Sequence, residues 1–248
     1  MERDDRASLA SFYVDAALSG AATIALDERV AHHLRVRRME IGDAVRLTNG
    51  KGAVAFGVIT QLDRRAADIE VERVETVAPQ SPLHLRVPVG DRDRMLWLAE
   101  KATELGITTW QPVHFRRSAS VSPRGEGAAF AEKVRARMIS ALEQSGGAWL
   151  PHLLPDIMPS ALAISANDVP IMLDVDGEPL ASLVAASGDR SPVVLFGPEG
   201  GIEPAERAAL VAAGWRPASV AASTLRFETA GIAAVAVCRN LQPPTSNL

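Results

Sequence analysis

Between residues 12 and 77 the apolar positions fall in short runs, Phe12–Val14, Ile24–Leu26, Ala44–Leu47, Val54–Thr60 and Ile69–Val74, separated by turn residues. Asn49-Gly50 lies between two of them, a hairpin signal. The pattern predicts a small β-barrel or curled sheet. It is interrupted once, over Glu28 to Met39, where Val30, Leu34 and Val36 fall on the inner side of a helix and Arg29, Arg35, Arg37 and Arg38 outside.

After Ala78-Pro79-Gln80-Ser81-Pro82 the periodicity changes. Two prolines in a short polar stretch mark a boundary, giving domains 1–78 and 83–248. Beyond it, predicted strands at 83–89, 109–114, 169–174, 192–197 and 217–221 alternate with predicted helices at 93–105, 127–144, 179–186, 203–213 and 228–241. That alternation implies an α/β domain with a parallel sheet covered on both faces. Gly106, Gly146 and Gly214 fall just past helical runs and Pro204 at a first helical turn, as end signals require.

Two strand–loop–helix segments carry candidate chemistry. Phe196-Gly197-Pro198-Glu199-Gly200-Gly201 exposes backbone N–H groups without Cβ atoms in the way and sets a carboxylate among glycines. Val220-Ala221-Ala222-Ser223-Thr224-Leu225-Arg226-Phe227-Glu228-Thr229 leads into an apolar helix that needs a partner surface. There Glu228 or Thr229 is suited to cap the helix. Arg226, between uncharged stretches, requires Glu199, Glu228 or a ligand anion as partner. Glu100, Lys101 and Glu104 read as a solvated helix face, and Glu143-Gln144-Ser145 as a helix end whose polar groups serve the backbone.

Composition narrows the chemistry. The net charge is −4, with 11 basic and 13 acidic residues through position 82 and 15 and 17 after it, so any polyanion must meet local patches such as Arg29–Arg38 and Arg116–Arg137. The single Cys238, inside Val235-Ala236-Val237, excludes an internal disulfide and reads as an inert buried thiol of a reducing compartment, the cytoplasm. No apolar run reaches membrane-spanning length, and His32-His33 has the wrong spacing for a helical metal pair. A P-loop, a complete dinucleotide fingerprint and a G-x-S-x-G elbow are absent.

In order along the chain, His32-His33-Leu34 with Gly42-Asp43, Glu100–Gly106 (EKATELG), Arg117-Ser118, Glu143–Gly146 (EQSG), Gly197–Gly201 (GPEGG) and Leu225–Ala230 (LRFETA) resemble the signatures of the SPOUT-class methyltransferases that make N3-methyluridine in small-subunit ribosomal RNA. The resemblance implies a PUA-like β-barrel followed by a trefoil-knotted α/β domain, S-adenosylmethionine as cofactor, 16S ribosomal RNA within the small ribosomal subunit as partner, and a homodimer. It implies a cofactor pocket of Gly197, Pro198, Glu199, Gly200, Gly201, Ala221, Ala222, Ser223 and Leu225 with Thr229 nearby. Arg226 is then the candidate to stabilise charge on the base, with Glu199 or Glu228 as base or loop anchor, and Arg35, Arg37, Arg38 and Arg117 as RNA contacts. No membrane or metal is implied. The chain departs from the family pattern at Phe227 (usually Thr), Gly147 (usually Arg), Ala221-Ala222-Ser223 (usually Gly-Pro-Arg), and Asp91-Arg92-Asp93-Arg94, where a Lys is usual. A ribose 2′-O methyltransferase of the same architecture and a non-catalytic RNA-binding or ribosome-assembly module are the competing readings.

Overall fold

The computed structural model describes residues 9–20 and 22–242. Two compact units are present, one of residues through Pro79 with Leu142–Leu150, the other of Gln80–Ala141 with Pro151–Leu248.

In the first unit the strands are β1 (Ser11–Tyr13), β2 (Thr23–Leu26), β3 (Ala44–Thr48), β4 (Ala53–Leu62) and β5 (Ala67–Thr76), with helix α1 (Glu28–Val36) between β2 and β3. The sheet runs β1-β3-β4-β5-β2, antiparallel except for the β1–β3 pair. In the β3–β4 hairpin, Asn49 Oδ1 accepts from the Lys51 and Ala53 N–H groups while Gly50 takes φ +67°. Alternate residues such as Val45, Leu47, Ile59, Ile69 and Val71 close on Val30, Ala31 and Leu34 of α1. Val36, expected inside, is 66% exposed. The helix ends there, and the buried stripe is Val30, Ala31, Leu34, a spacing that Val36 does not continue.

The Leu142–Leu150 segment belongs to this unit through specific bonds. Glu143 Oε1 accepts from the Tyr13 N–H at 2.8 Å and lies 3.7 Å from Arg29 Nη1. Buried Arg46 donates to Ser11 Oγ and to the Gly147 carbonyl, and burial lowers its pKa. A Cβ on Gly147 would come within 2.6 Å of Leu142 Cδ1, so a larger residue there requires the Leu142 side chain to shift.

The second unit contains β6 (His84–Pro88), α2 (Arg92–Glu104), β7 (Thr109–Val113), α3 (Ala128–Ser145, whose end lies in the first unit), β8 (His152–Leu153), β9 (Asp168–Pro179), α4 (Leu180–Ala185), β10 (Ser191–Leu195), α5 (Pro204–Ala212), β11 (Arg216–Ser219) and α6 (Phe227–Leu241). Its sheet is parallel throughout, in the order β11-β9-β10-β6-β7-β8. The α/β reading of the sequence holds. The short β8 is an addition, too brief to leave a periodic signal. Gly106, Gly146 and Gly214 have positive φ at helix ends, and Pro204 opens α5. Helix α6, expected to need a partner surface, buries one face, Phe227, Glu228, Gly231, Ala234, Val235 and Cys238, while Ala236 stays exposed. Its N-cap is Arg226, without a side-chain capping bond, so neither Glu228 nor Thr229 takes the expected capping position. Burial pushes the Cys238 thiol up to about 12, against the opposing charge of Arg239, as an inert thiol requires.

Among the described residues no helix is long and apolar enough to cross a membrane, and no group of His, Cys, Asp and Glu is placed to hold a metal ion.

Candidate active site

Strand β9 lies between β10 and β11, and Met172 is in register with both Leu195 and Pro217. The loops that leave β10 and β11 therefore start two strand spacings apart, about 10 Å. Between them, against Met172 to Val175 where β9 leaves its ladder with β10, is a cavity of about 640 Å³. Carboxyl ends of parallel strands are the usual place for a ligand in such sheets.

The first wall is Phe196 to Ile202. A Cβ on Gly197 would meet Ile202 Cγ1 at 2.8 Å, and one on Gly200 would meet the Arg117 side chain at 3.3 Å, so glycine lets this loop fold tightly on itself and against Arg117. Arg117 Nη1 donates to the Gly200 carbonyl at 2.6 Å, while the Arg116 N–H donates to Glu206 Oε1 on α5. The second wall is Val220, Ala221 and Ser223 to Phe227. Ala222 and Thr229 are exposed and do not line the cavity, although the resemblance groups them with it.

The third wall, Met172 to Val175, is absent from the sequence-derived set. Successive β11 residues Pro217 and Ala218 pair with Met172 and Glu178, so Leu173 to Gly177 arch out of the ladder over the cavity. A Cβ on Gly177 would lie 2.4 Å from the Ala218 nitrogen, and only glycine fits. Asp174 Oδ2 accepts from Arg207 Nε at 2.6 Å, fastening the arch to α5. Burial pushes the Asp174 carboxyl up, but the hydrogen bonds from Arg207 and the Asp176 N–H, with the guanidinium charge, outweigh it and hold the carboxyl below its ordinary range. The one available signal was Asp174-Val175-Asp176-Gly177, a turn-like acidic run directly after an apolar strand.

The charges are distributed differently from the expectation. Arg226 is exposed, lines the cavity, and makes no side-chain hydrogen bond or ion pair with the described residues. The cation beside both carboxylates is Arg94 of α2, which also lines the cavity, 4.0 Å from Glu199 Oε1 and 3.8 Å from Glu228 Oε1. Glu199 Oε1 also accepts from the Asp91 N–H at 3.0 Å, so it does anchor a neighbouring loop. Glu228 lies behind the cavity wall, 9% exposed, with Oε2 buried and unpartnered. Elsewhere, Lys101 bonds Glu100 and Glu104 on the α2 surface, as a solvated face would. Arg35, Arg37 and Arg38 are exposed on and just after α1. Arg35 Nη2 donates to the Arg64 carbonyl, Arg37 lies 5.5 Å from the Phe12 ring centre, and Arg38 has φ +58°.

A parallel sheet that holds a cavity between the loops leaving two of its strands, with an unpaired guanidinium in the lining, is the α/β arrangement that binds a small ligand. More specifically, the chain belongs to the RNA methyltransferase domain family, matched over residues 77–239, and residues 26–72 match the RNA methyltransferase PUA domain. It is 26% identical over 245 residues to ribosomal RNA small subunit methyltransferase E of Rickettsia conorii, covering 92% of this chain and 94% of that protein. To the Mycobacterium bovis protein of the same name it is 29% identical over 237 residues, covering 90% and 88%. Among solved structures, the ribosomal RNA small subunit methyltransferase E of Neisseria gonorrhoeae bound to S-adenosyl methionine superposes with a TM-score of 0.82 at 28% identity, covering 94% of this chain and 98% of that one. The chain is an RNA methyltransferase of PUA-like plus parallel α/β architecture, which sets aside the non-catalytic reading.

Proposed function

We propose that the protein transfers a methyl group from S-adenosylmethionine to N3 of a uridine in 16S ribosomal RNA of the small subunit. The observation that carries this reading is the cavity between the two loops with Arg226 unpaired at its rim.

The cavity fits the cofactor. Its volume lies within the range of small-molecule sites, about 300–1,000 Å³, and its walls set the glycine and alanine backbone of the two loops beside apolar side chains and the charged Arg94, Asp174, Glu199, Arg207 and Arg226. Gly197, Pro198, Gly200 and Gly201 on one side and Ala221, Ser223 and Leu225 on the other would hold it, with Phe196, Ile202 and Ala218 supplying apolar surface. When bound, the cofactor supplies an electrophilic methyl on a sulfonium, transferred by in-line displacement.

The chain must align the uracil and handle one proton. Uracil N3 carries that proton, and its removal spreads negative charge onto the flanking carbonyl oxygens. Arg226, having no carboxylate partner to displace, donates to that developing charge. Glu199 lines the same cavity; with Oε1 held by the Asp91 N–H, its Oε2 accepts the N3 proton. Glu228 does not face the cavity and serves as an anchor rather than a base.

RNA capture rests on local charge, since the chain is net acidic. The exposed Arg35, Arg37 and Arg38 meet backbone phosphates, and Arg117 reaches the RNA from beside the glycine loop that it braces. A homodimer is supported by the apolar residues of α6 outside its buried face, Ile232, Ala233, Ala236 and Val237. The lone buried thiol suits the cytoplasm.

The test is incubation of the purified protein with S-adenosylmethionine and undermethylated small subunits, followed by nucleoside mass spectrometry. N3-methyluridine is the expected product. A 2′-O-methylated nucleoside would replace the base-methyl reading with the ribose reading, and no product from RNA of either kind would remove it.

A further inference from the structure

Arg94 occupies the third position of α2, whose N-cap is Asp91. Its two carboxylate neighbours come from different elements, Glu199 from the loop after β10 and Glu228 from the first turn of α6. The packing around this trio is close. A Cβ on Gly90 would approach Glu199 Oε2 at 3.1 Å and Phe227 Cε1 at 3.2 Å, so the α2 entry, the glycine loop and the α6 start meet without slack.

The energetic asymmetry lies with Glu228. A carboxylate with one buried, unpartnered oxygen is costly unless a positive charge compensates it. Arg94 is the cation within 4 Å of it among the described residues. Arg226, two residues earlier in the chain, is the N-cap of the same helix, so whatever fixes the first turn of α6 also fixes where the Arg226 guanidinium starts.

We propose that Arg94 is a positioning residue: it neutralises Glu228 and Glu199 together, joining α6 to the glycine loop and so setting Arg226 against the bound base. The proposal rests on the methyltransferase reading above and extends it to a residue of the Asp91–Arg94 stretch, where the chain departs from the family pattern. Lysine would be an incomplete substitute, because one ammonium on a flexible stem does not address two carboxylates as a planar guanidinium does.

The experiment uses the full-length enzyme with Arg94→Met, Arg94→Lys, Glu228→Gln and the Arg94→Met/Glu228→Gln double variant. Turnover on small subunits and calorimetric affinity for S-adenosylmethionine are measured in parallel. Arg94→Met is expected to lower kcat by at least about 10-fold while cofactor Kd stays within about threefold, with Arg94→Lys between it and wild type. In the Met background, Glu228→Gln is expected to restore about threefold or more, because it removes the uncompensated charge. Unchanged kcat in Arg94→Met, cofactor Kd rising in step with the loss of turnover, or no recovery in the double variant overturns the proposal. Should wild type bind cofactor but leave the subunits unmethylated, the substrate reading fails on its own. The Arg94–Glu228 coupling is then read from thermal midpoints of the cofactor complex, where non-additive shifts support the proposal and additive shifts overturn it.

Discussion

Arg117 Nη1 donates to the Gly200 carbonyl oxygen at 2.6 Å, so a side chain that the family resemblance assigns to RNA is also a brace for the cavity wall. The bond is charge-assisted but exposed, which places its worth near the low end, about 1 kcal/mol. Arg117→Ala is therefore expected to weaken S-adenosylmethionine binding by about fivefold, the factor that such an energy corresponds to. Calorimetry checks it; an unchanged Kd would leave Arg117 as an RNA contact alone.

Arg226 has the opposite character, since it lines the cavity without a side-chain partner among the described residues. Its removal leaves no carboxylate uncompensated, so the fold and the cofactor site are expected to survive Arg226→Ala. Loss of one donor to a developing oxyanion costs about 100-fold or more in turnover. Single-turnover kinetics with saturating cofactor measure this directly, and equal rates would take Arg226 out of the chemistry.

The difference between these two arginines shows what the sequence makes legible. Helix and strand identities were readable because Leu98 and Ala102 of α2, or Val45 and Leu47 of β3, repeat with the period of their element. Both loops were readable because Gly197, Gly200 and Gly201 in one and Ala221 and Ala222 in the other leave backbone exposed. Which cation faces which carboxylate was not readable: Arg94, Glu199 and Glu228 are more than a hundred residues apart at the extremes, and pairing is set by sheet order. The Leu173–Gly177 arch was hidden for a related reason. It continues an apolar strand without a proline or helical break, and beyond the turn-like Asp174–Gly177 run it is the β11 register that shows how far it leaves the ladder.

That arch supplies a stability prediction. Gly177→Ala would force a Cβ to within 2.4 Å of the Ala218 nitrogen, a backbone atom that cannot swing aside. Overpacking of this kind costs about 1–3 kcal/mol. Urea denaturation should report a loss in that range, and cofactor affinity should fall with it because Leu173 and Val175 line the cavity. Unaltered stability would mean that β9 and β11 can separate there at little cost.

RNA capture by Arg37 and Arg38 is tested through salt. Each phosphate contact removed lowers the slope of log K against log salt by about 0.7–0.9. Replacing both by Ala is expected to reduce the slope by one to two such contacts while leaving cofactor affinity unchanged. Filter binding to small subunits between low and moderate salt checks this, and a parallel line would place the RNA elsewhere.

His84, on β6, gives the unit a pH dependence of determinate sign. Burial lowers its pKa below the ordinary value of 6.5, helped by the nearby charges of Arg86 and Arg239 and opposed by Asp168, while Nδ1 lies 2.9 Å from Thr109 Oγ1. The unfolded chain then binds a proton at a pH where the folded chain does not, so acidification through and below 6.5 favours unfolding. Stability of the wild type should fall between pH 7.5 and pH 5, values about one unit above and somewhat more below the ordinary His pKa. His84→Gln, which cannot take the proton, should show a shallower fall over that interval. Denaturation curves at the two ends measure both slopes. Parallel slopes for the two proteins would mean that folding leaves His84 proton affinity where the unfolded chain has it.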